Sequence, residues 1–181
     1  MNSALWYLFL EQEFVYVGDA GIIEPSGKSK RMGADLGLRY QLNDWLYFDA
    51  DANYTYARSI DEPKGQDYIP LAPDFTTTGG LSFQKLNGFS GGIRYRYLKN
   101  RPANEDNSIV AKGYFVSDLN LNYQYKKINF GVSVENIFNT EWNETQFGTE
   151  SRLQNELESV EEIHFTPGTP FFMKGKITYT F

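Results

Sequence analysis

Apolar and polar residues alternate along most of this chain, most strictly over its last eleven residues, FFMKGKITYTF. Phe171, Met173, Gly175, Ile177, Tyr179 and Phe181 share one phase; Phe172, Lys174, Lys176, Thr178 and Thr180 share the other. Successive side chains of a strand point to opposite faces, so a period of two predicts an extended strand. At about 3.3 Å per residue it is long enough to cross a bilayer at a tilt, which takes roughly 9–11 residues.

The same design recurs upstream. Residues 3–17 open with a continuously apolar run whose phase is not readable. Residues 28–41 then set Met32, Ala34, Leu36, Leu38 and Tyr40 against Arg31, Asp35 and Arg39, and a third strand sets Leu46, Phe48, Ala50, Ala52 and Tyr54 against Asp49, Asp51 and Asn53. Two strands flank the hairpin signal Leu86-Asn87-Gly88. Two more flank Lys126-Lys127, with Leu119, Leu121 and Tyr123 before it and Ile128, Phe130, Val132 and Val134 after. Turn chemistry marks the first loop at Gly18-Asp19, Gly21 and Pro25-Ser26-Gly27.

The count is eight strands, joined alternately by long loops and short turns, the layout of outer-membrane barrels. The expected fold is all-β: an antiparallel up-and-down meander of eight transmembrane strands in a single β-barrel domain over residues 1–181. It is either part of a larger barrel or a barrel closed on itself by pairing residues 4–16 with 171–181.

Alternation alone does not say which face looks outward. Aromatics of the apolar phase sit at strand ends: Tyr40, Phe83, Phe89, Tyr123 and Tyr179 near the short turns, Tyr54, Tyr56, Tyr95 and Tyr97 near the long loops. Leu36, Ala50, Leu81, Ile93, Leu119 and Val132 lie between them. A bilayer selects two aromatic girdles around an aliphatic belt, because Tyr and Trp favour the headgroup region. The opposite face carries cations and carboxylates in near balance, which suits a lumen where charges need partners. Lumen-facing residues are therefore expected at Arg39, Asp49, Asp51, Arg94, Arg96, Asp118 and Glu135. A soluble barrel with ordinary surface charge is the alternative.

Composition narrows the class further. An aromatic content of 17% fits a β protein better than a disordered chain. No run of eighteen apolar residues exists, which excludes transmembrane helices and leaves a barrel open. The chain lacks cysteine, so disulfides and thiolate sites are out, and a net charge of −6 argues against nucleic acid as a partner. No basic and apolar leader follows Met1; an exported barrel needs one, so a fragment without signal peptide is expected.

Chemical motifs are sparse. GIIEPSGKS, at 21–29, imitates a phosphate loop, but five residues rather than four separate its glycines and a strand pattern follows. Asp49-Ala50-Asp51 imitates a calcium loop, but Tyr54 stands where the turn needs glycine and Ile60 where it needs glutamate. His164 is the only histidine, so neither a catalytic triad nor a multi-histidine metal site can be built within the chain. A metal ligand shared with another part of the protein stays open. No catalytic residue, metal site or cofactor is expected.

The last loop, residues 138–169, is chemically distinctive. Glu141, Glu144, Glu150, Glu156, Glu158, Glu161 and Glu162 stand there against Arg152 alone, accounting for the whole net charge of −6. Leu153, Leu157 and Val160 predict a short helix within 150–162. One reading is a solvated loop. The other is a contact surface for a cationic or metal-bearing ligand, with Glu141, Trp142, Glu144, Glu150, Arg152, Glu156, Glu158 and His164 as candidates.

The pieces GVSVENIFNTEWNE, TQFGTESRLQNE, HFTPGTPFF and GKITYTF, in that order, together resemble the C-terminal end of TonB-dependent outer-membrane receptors. GDAG, EPSG and RPANEDNS are similar to loop pieces of the same group. The resemblance implies a barrel of about twenty-two strands with an N-terminal plug, importing iron chelates, cobalamin or oligosaccharides. Its implied partners are outer-membrane lipid, the remaining barrel and plug, the TonB energy-coupling protein through the plug, and the outer-membrane assembly machinery. By the same resemblance, residues 134–138 match the penultimate-strand motif, and Tyr179 to Phe181 look like the tail that the assembly machinery reads. The alternatives are a self-standing eight-stranded porin or adhesin-like barrel and a soluble ligand-binding barrel.

Overall fold

The computed structural model describes residues 1–12, 14–17, 22–25 and 27–181. Its strands are β1 (Asn2–Leu10), β2 (Phe14–Val17), β3 (Ile22–Pro25), β4 (Ser29–Gln41), β5 (Leu46–Ser59), β6 (Phe75–Leu86) and β7 (Phe89–Leu98). There follow β8 (Arg101–Pro102), β9 (Val110–Ala111), β10 (Tyr114–Tyr125), β11 (Ile128–Glu135), β12 (Asn143–Ser151), β13 (Val160–Pro167) and β14 (Phe172–Tyr179). Eight of them form one sheet in the order β1-β4-β5-β6-β7-β10-β11-β14. Every neighbouring pair in this wall is antiparallel, as short turns and period-two patterning require.

Turn chemistry explains the short ends. Asn87 and Gly88, both at positive φ, make the two-residue turn between β6 and β7, whose twist suits a hairpin. The Asn43 side-chain oxygen accepts hydrogen bonds from the backbone of Trp45 and Leu46, closing the turn from β4 to β5. Lys126, also at positive φ, turns β10 into β11.

Register keeps each phase on one face. Leu36 lies opposite Ala52, Leu38 opposite Ala50, Leu81 opposite Ile93, Ile93 opposite Leu119, and Leu121 opposite Val132. Above and below this belt run aromatic rows. Phe89 and Tyr123 meet at 4.5 Å at the short-turn end, while Phe75 meets Tyr97 at 6.1 Å and Tyr95 stacks on Phe115 at 5.7 Å towards the long loops. Register also settles the unreadable first strand. Trp6 pairs with Gly33 and its ring lies over that glycine, on the face of Arg31 and Asp35, so Leu5, Tyr7 and Phe9 take the apolar face.

Three expectations are corrected. The first strand stops at Leu10; Phe14–Val17 turns away and pairs with β3 instead of extending the wall. The sheet does not close: among the described residues β1 pairs with β4 alone and β14 with β11 alone. With residues 14–17 committed to their own hairpin, only residues 4–10 of the strand expected to close the barrel stand in the wall, and no ladder joins them to β14. The predicted helix is also absent: the last loop is the hairpin β12–β13, registered from Gln146–Phe165 to Ser151–Val160. An isolated helix of that length is marginal, and Glu158 and Glu162 would repel at i, i+4, whereas the hairpin satisfies backbone groups on both arms. The turn expectations at Gly18, Asp19, Gly21 and Ser26 lie outside the described residues.

Candidate functional site

The polar face of the wall carries a network of charge. Arg39 donates to both oxygens of Asp51 at 3.1 and 2.7 Å, and Arg94 to both oxygens of Asp49 at 2.8 Å. Arg96 meets Asp118 at 3.5 Å, and Lys174 meets Glu135 at 3.0 Å. Asn120 and Asn122 join the series through a bond to each other and one from Asn120 to Ser133. Arg39, Asp49, Asp51, Arg94, Arg96, Asp118 and Glu135 share one face of the sheet, each in an ion pair across strands. Such half-exposed pairs are screened by solvent and contribute little to stability. Their effect is to fix a polar surface.

Buried side chains among the described residues gather at the other structural feature, the long-loop end. They include Ile69, Ala103, Ala111 and Val116 with Arg101, Asn104, Asn136 and Gln146. The loops dock on one another through backbone bonds, Tyr68 to Glu105 at 3.1 Å and Leu71 to Pro102 at 2.8 Å. Gln146 of β12, 2% exposed, accepts from the Lys112 amide at 2.9 Å and donates to the Lys112 carbonyl at 2.7 Å. Burial holds the Arg101 guanidinium below its ordinary value, and hydrogen bonds from the Ser108 hydroxyl and amide hold the Asp106 carboxyl below the usual range.

Asn136 anchors the base of the last loop. At φ 50°, 1% exposed, its amide group donates to the carbonyls of Thr140 and Thr169 while its oxygen accepts from the Thr140 amide. Its own backbone N–H donates to Asp118. Trp142 completes the base: its indole N–H donates to Thr169 at 3.0 Å, and its ring lies on Gly168, against Tyr114 at 4.8 Å and under Arg96 at 5.3 Å. A Cβ at position 168 would stand 2.1 Å from that ring, so only glycine fits.

The eight candidates of the last loop do not converge. Trp142 is committed to the loop base. Glu156 caps the hairpin tip by accepting from the Leu153 amide, and its carbonyl accepts from Arg152. Glu150 accepts from Ser159, and His164 sits 3.0 Å from Ser151 and 3.7 Å from Glu162. Glu141, Glu144 and Glu158 are exposed. Among the described residues no three His, Asp or Glu side chains are grouped to hold a metal. A cavity of about 720 Å³ instead joins four loops, with Asp61, Glu62, Glu105, Asp106 and Glu161 on its walls. Four of these acids escape sequence reasoning because they stand on two other loops. A second cavity, of about 750 Å³, lies beside Lys112, Glu141, Trp142 and Phe165.

A polar and an apolar face on one antiparallel meander, with every long connection at one end, define the wall of a membrane-type β-barrel. Comparison agrees. The family described as TonB dependent receptor-like, beta-barrel, matches residues 2–137, and the chain belongs to that family. The siderophore receptor PiuA from Acinetobacter baumannii superposes with a TM-score of 0.70 at 14% identity, over 98% of this chain and 25% of its own. The ferric-catecholate import receptor Fiu from E. coli K12, in its closed form, does so at 0.70 and 19%, over 98% and 25%. The copper transporter OprC gives 0.66 and 19%, over 99% and 29%. At such identities the likeness shows the fold. The chain spans about a quarter of the length of these structures, and no curated protein sequence matches it.

Proposed function

We propose that this chain forms part of the barrel wall of an outer-membrane receptor that imports a scarce ligand with energy from the TonB system. The observation that carries the reading is the division of the wall. One face is a series of ion pairs from Arg39 to Lys174, the other an uncovered apolar belt in which Ile177 is 74% exposed. Apolar area of that extent stays uncovered at equilibrium when lipid rather than water meets it. The polar face then lines the lumen, and Arg39, Asp49, Asp51, Arg94, Arg96, Asp118 and Glu135 face the plug of the complete receptor.

The long loops meet the ligand. Their carboxylates, those of the four-loop cavity together with Glu141, Glu144, Glu150 and Glu158, favour a cationic or metal-bearing cargo of the iron-chelate or copper kind over an anionic one. The Tyr179 to Phe181 tail serves the assembly machinery.

The test is energised uptake. Cells deleted for the gene and complemented with it are offered labelled ferric chelates, copper, cobalamin and oligosaccharides. Uptake of one class that disappears without TonB is expected; uptake of none, or uptake indifferent to TonB, overturns the reading.

A further inference from the structure

The apolar face ends, on the long-loop side of β4 and β5, in a row of cations. Lys30 lies opposite Arg58, on the phase of Met32 and Tyr56, and Phe9 of β1 is the next residue in the row. One step towards the belt the row is Tyr7, Met32 and Tyr56; a further step gives Leu5, Ala34 and Tyr54. An apolar stripe three strands wide is thus capped by positive charge. The Arg58 guanidinium is clamped between Tyr56 at 4.7 Å and Tyr68 at 4.1 Å, with Asp67 at 3.7 Å. A cavity of about 620 Å³ opens beside it, lined by Lys30, Lys64 and Glu62 among others. Three cations thus surround it against two carboxylates. Asp67 is engaged with Arg58 and the Gly65 amide, and among the described residues neither lysine has an ion-pair partner.

We propose that this cavity holds the phosphate group of a membrane lipid in the leaflet at the long-loop end, with acyl chains lying along Phe9, Tyr7, Met32 and Tyr56. The inference rests on the reading that the apolar face meets lipid. Tyrosines mark headgroup depth, and lysine stems run along apolar surface while their ammonium groups stay at the interface. Lys30 and Lys64 supply compact point charges for phosphate oxygens. Arg58, held by two rings and a carboxylate, gives the cavity a rigid positive floor.

The full-length receptor, purified in detergent, is incubated with bisphosphorylated lipid A, with its dephosphorylated form, with phosphatidylcholine and with inorganic phosphate, and bound species are counted by native mass spectrometry. Preferential retention of the phosphorylated lipid A is expected. A Lys30→Gln/Lys64→Gln variant should lose roughly twenty-five-fold, from about fivefold per basic residue near an anionic lipid surface. Lys176→Gln, on the other face, should change nothing, and heat-modifiable gel mobility checks that each variant is folded. Equal retention of the two lipid A forms, or an undiminished double variant, overturns the site. Displacement by millimolar inorganic phosphate shows an anion site and overturns the lipid assignment. Retention of no lipid at all overturns the proposal by way of the lipid-facing reading itself, an outcome distinct from the first.

Discussion

Asp49 and Arg94 are bonded through both carboxylate oxygens, although β5 and β7 are not neighbours in the sheet. Gly80 of β6 lies in register between them, opposite Asp49 on one side and Arg94 on the other. The missing side chain leaves room for the pair to meet over the middle strand.

Gly80→Val should therefore disrupt both strand and pair. A Cβ there would stand 2.2 Å from the Ile93 carbonyl oxygen, a backbone atom that cannot swing aside. The expected cost is about 1–3 kcal/mol, as for overpacking of a well-fitted site. A lipid refolding titration measures it. A variant as stable as the parent would mean that the wall yields freely at β6.

Arginine at Leu38, Leu121 or Val132 should cost about 2–4 kcal/mol in the same titration, the value for a cation at the bilayer midplane. Arginine at Asn122, on the polar face, should cost far less. Equal costs at the two sets of positions would show that the faces are assigned the wrong way round.

Asn136→Ala removes three side-chain bonds that hold Thr140 and Thr169 together. Each is worth about 0.5–1.5 kcal/mol net, and the buried groups left behind raise the loss. Limited proteolysis within residues 141–168 should accelerate at least about tenfold, while the wall strands stay protected. An unchanged cleavage rate would show that the loop base is held by Trp142 and Gly168 without it.

The wall is legible in sequence because a strand wet on one side and apolar on the other has to alternate. Arg39, Asp49, Arg94 and Asp118 declare their face two residues at a time. β1 is not legible in this way: Leu5, Trp6, Tyr7 and Leu8 are apolar on both phases, and their faces follow from pairing with Ala34, Gly33, Met32 and Arg31. The loops hide more. β8 and β9 are two residues each, too short for any period to show. Gln146 reads as an ordinary polar loop residue; its burial follows from its bonds to the N–H and C=O of Lys112, thirty-four positions away in sequence. The acids of the four-loop cavity are scattered for the same reason.

Gln146→Ala should thus act at a distance. With both backbone groups of Lys112 left without their partner, the expected loss is about 1–3 kcal/mol for the docking of β12 on β9. Hydrogen exchange at the Lys112 amide reports it directly, and exchange as slow as in the parent would refute the coupling.

The turn at Asp106 carries a pH signature. Its carboxyl is held down by bonds from Ser108, so its contribution is complete above the ordinary carboxylate range and fades as pH falls through the depressed value. Carboxyl-carbon NMR should show Asp106 titrating below a model aspartate, and Ser108→Ala, which removes the hydroxyl bond and keeps the amide one, should bring it part of the way back up. A normal midpoint in the parent would remove the bond from solution.

The amide of Asn136 fastens both ends of residues 141–168 to a single point on the wall. Whatever lies between those ends is therefore delivered in the same place with the same entry and exit, as a cassette is by its socket. A different hairpin could be grafted between Thr140 and Thr169, with Asn136 kept and the eight-stranded wall left untouched.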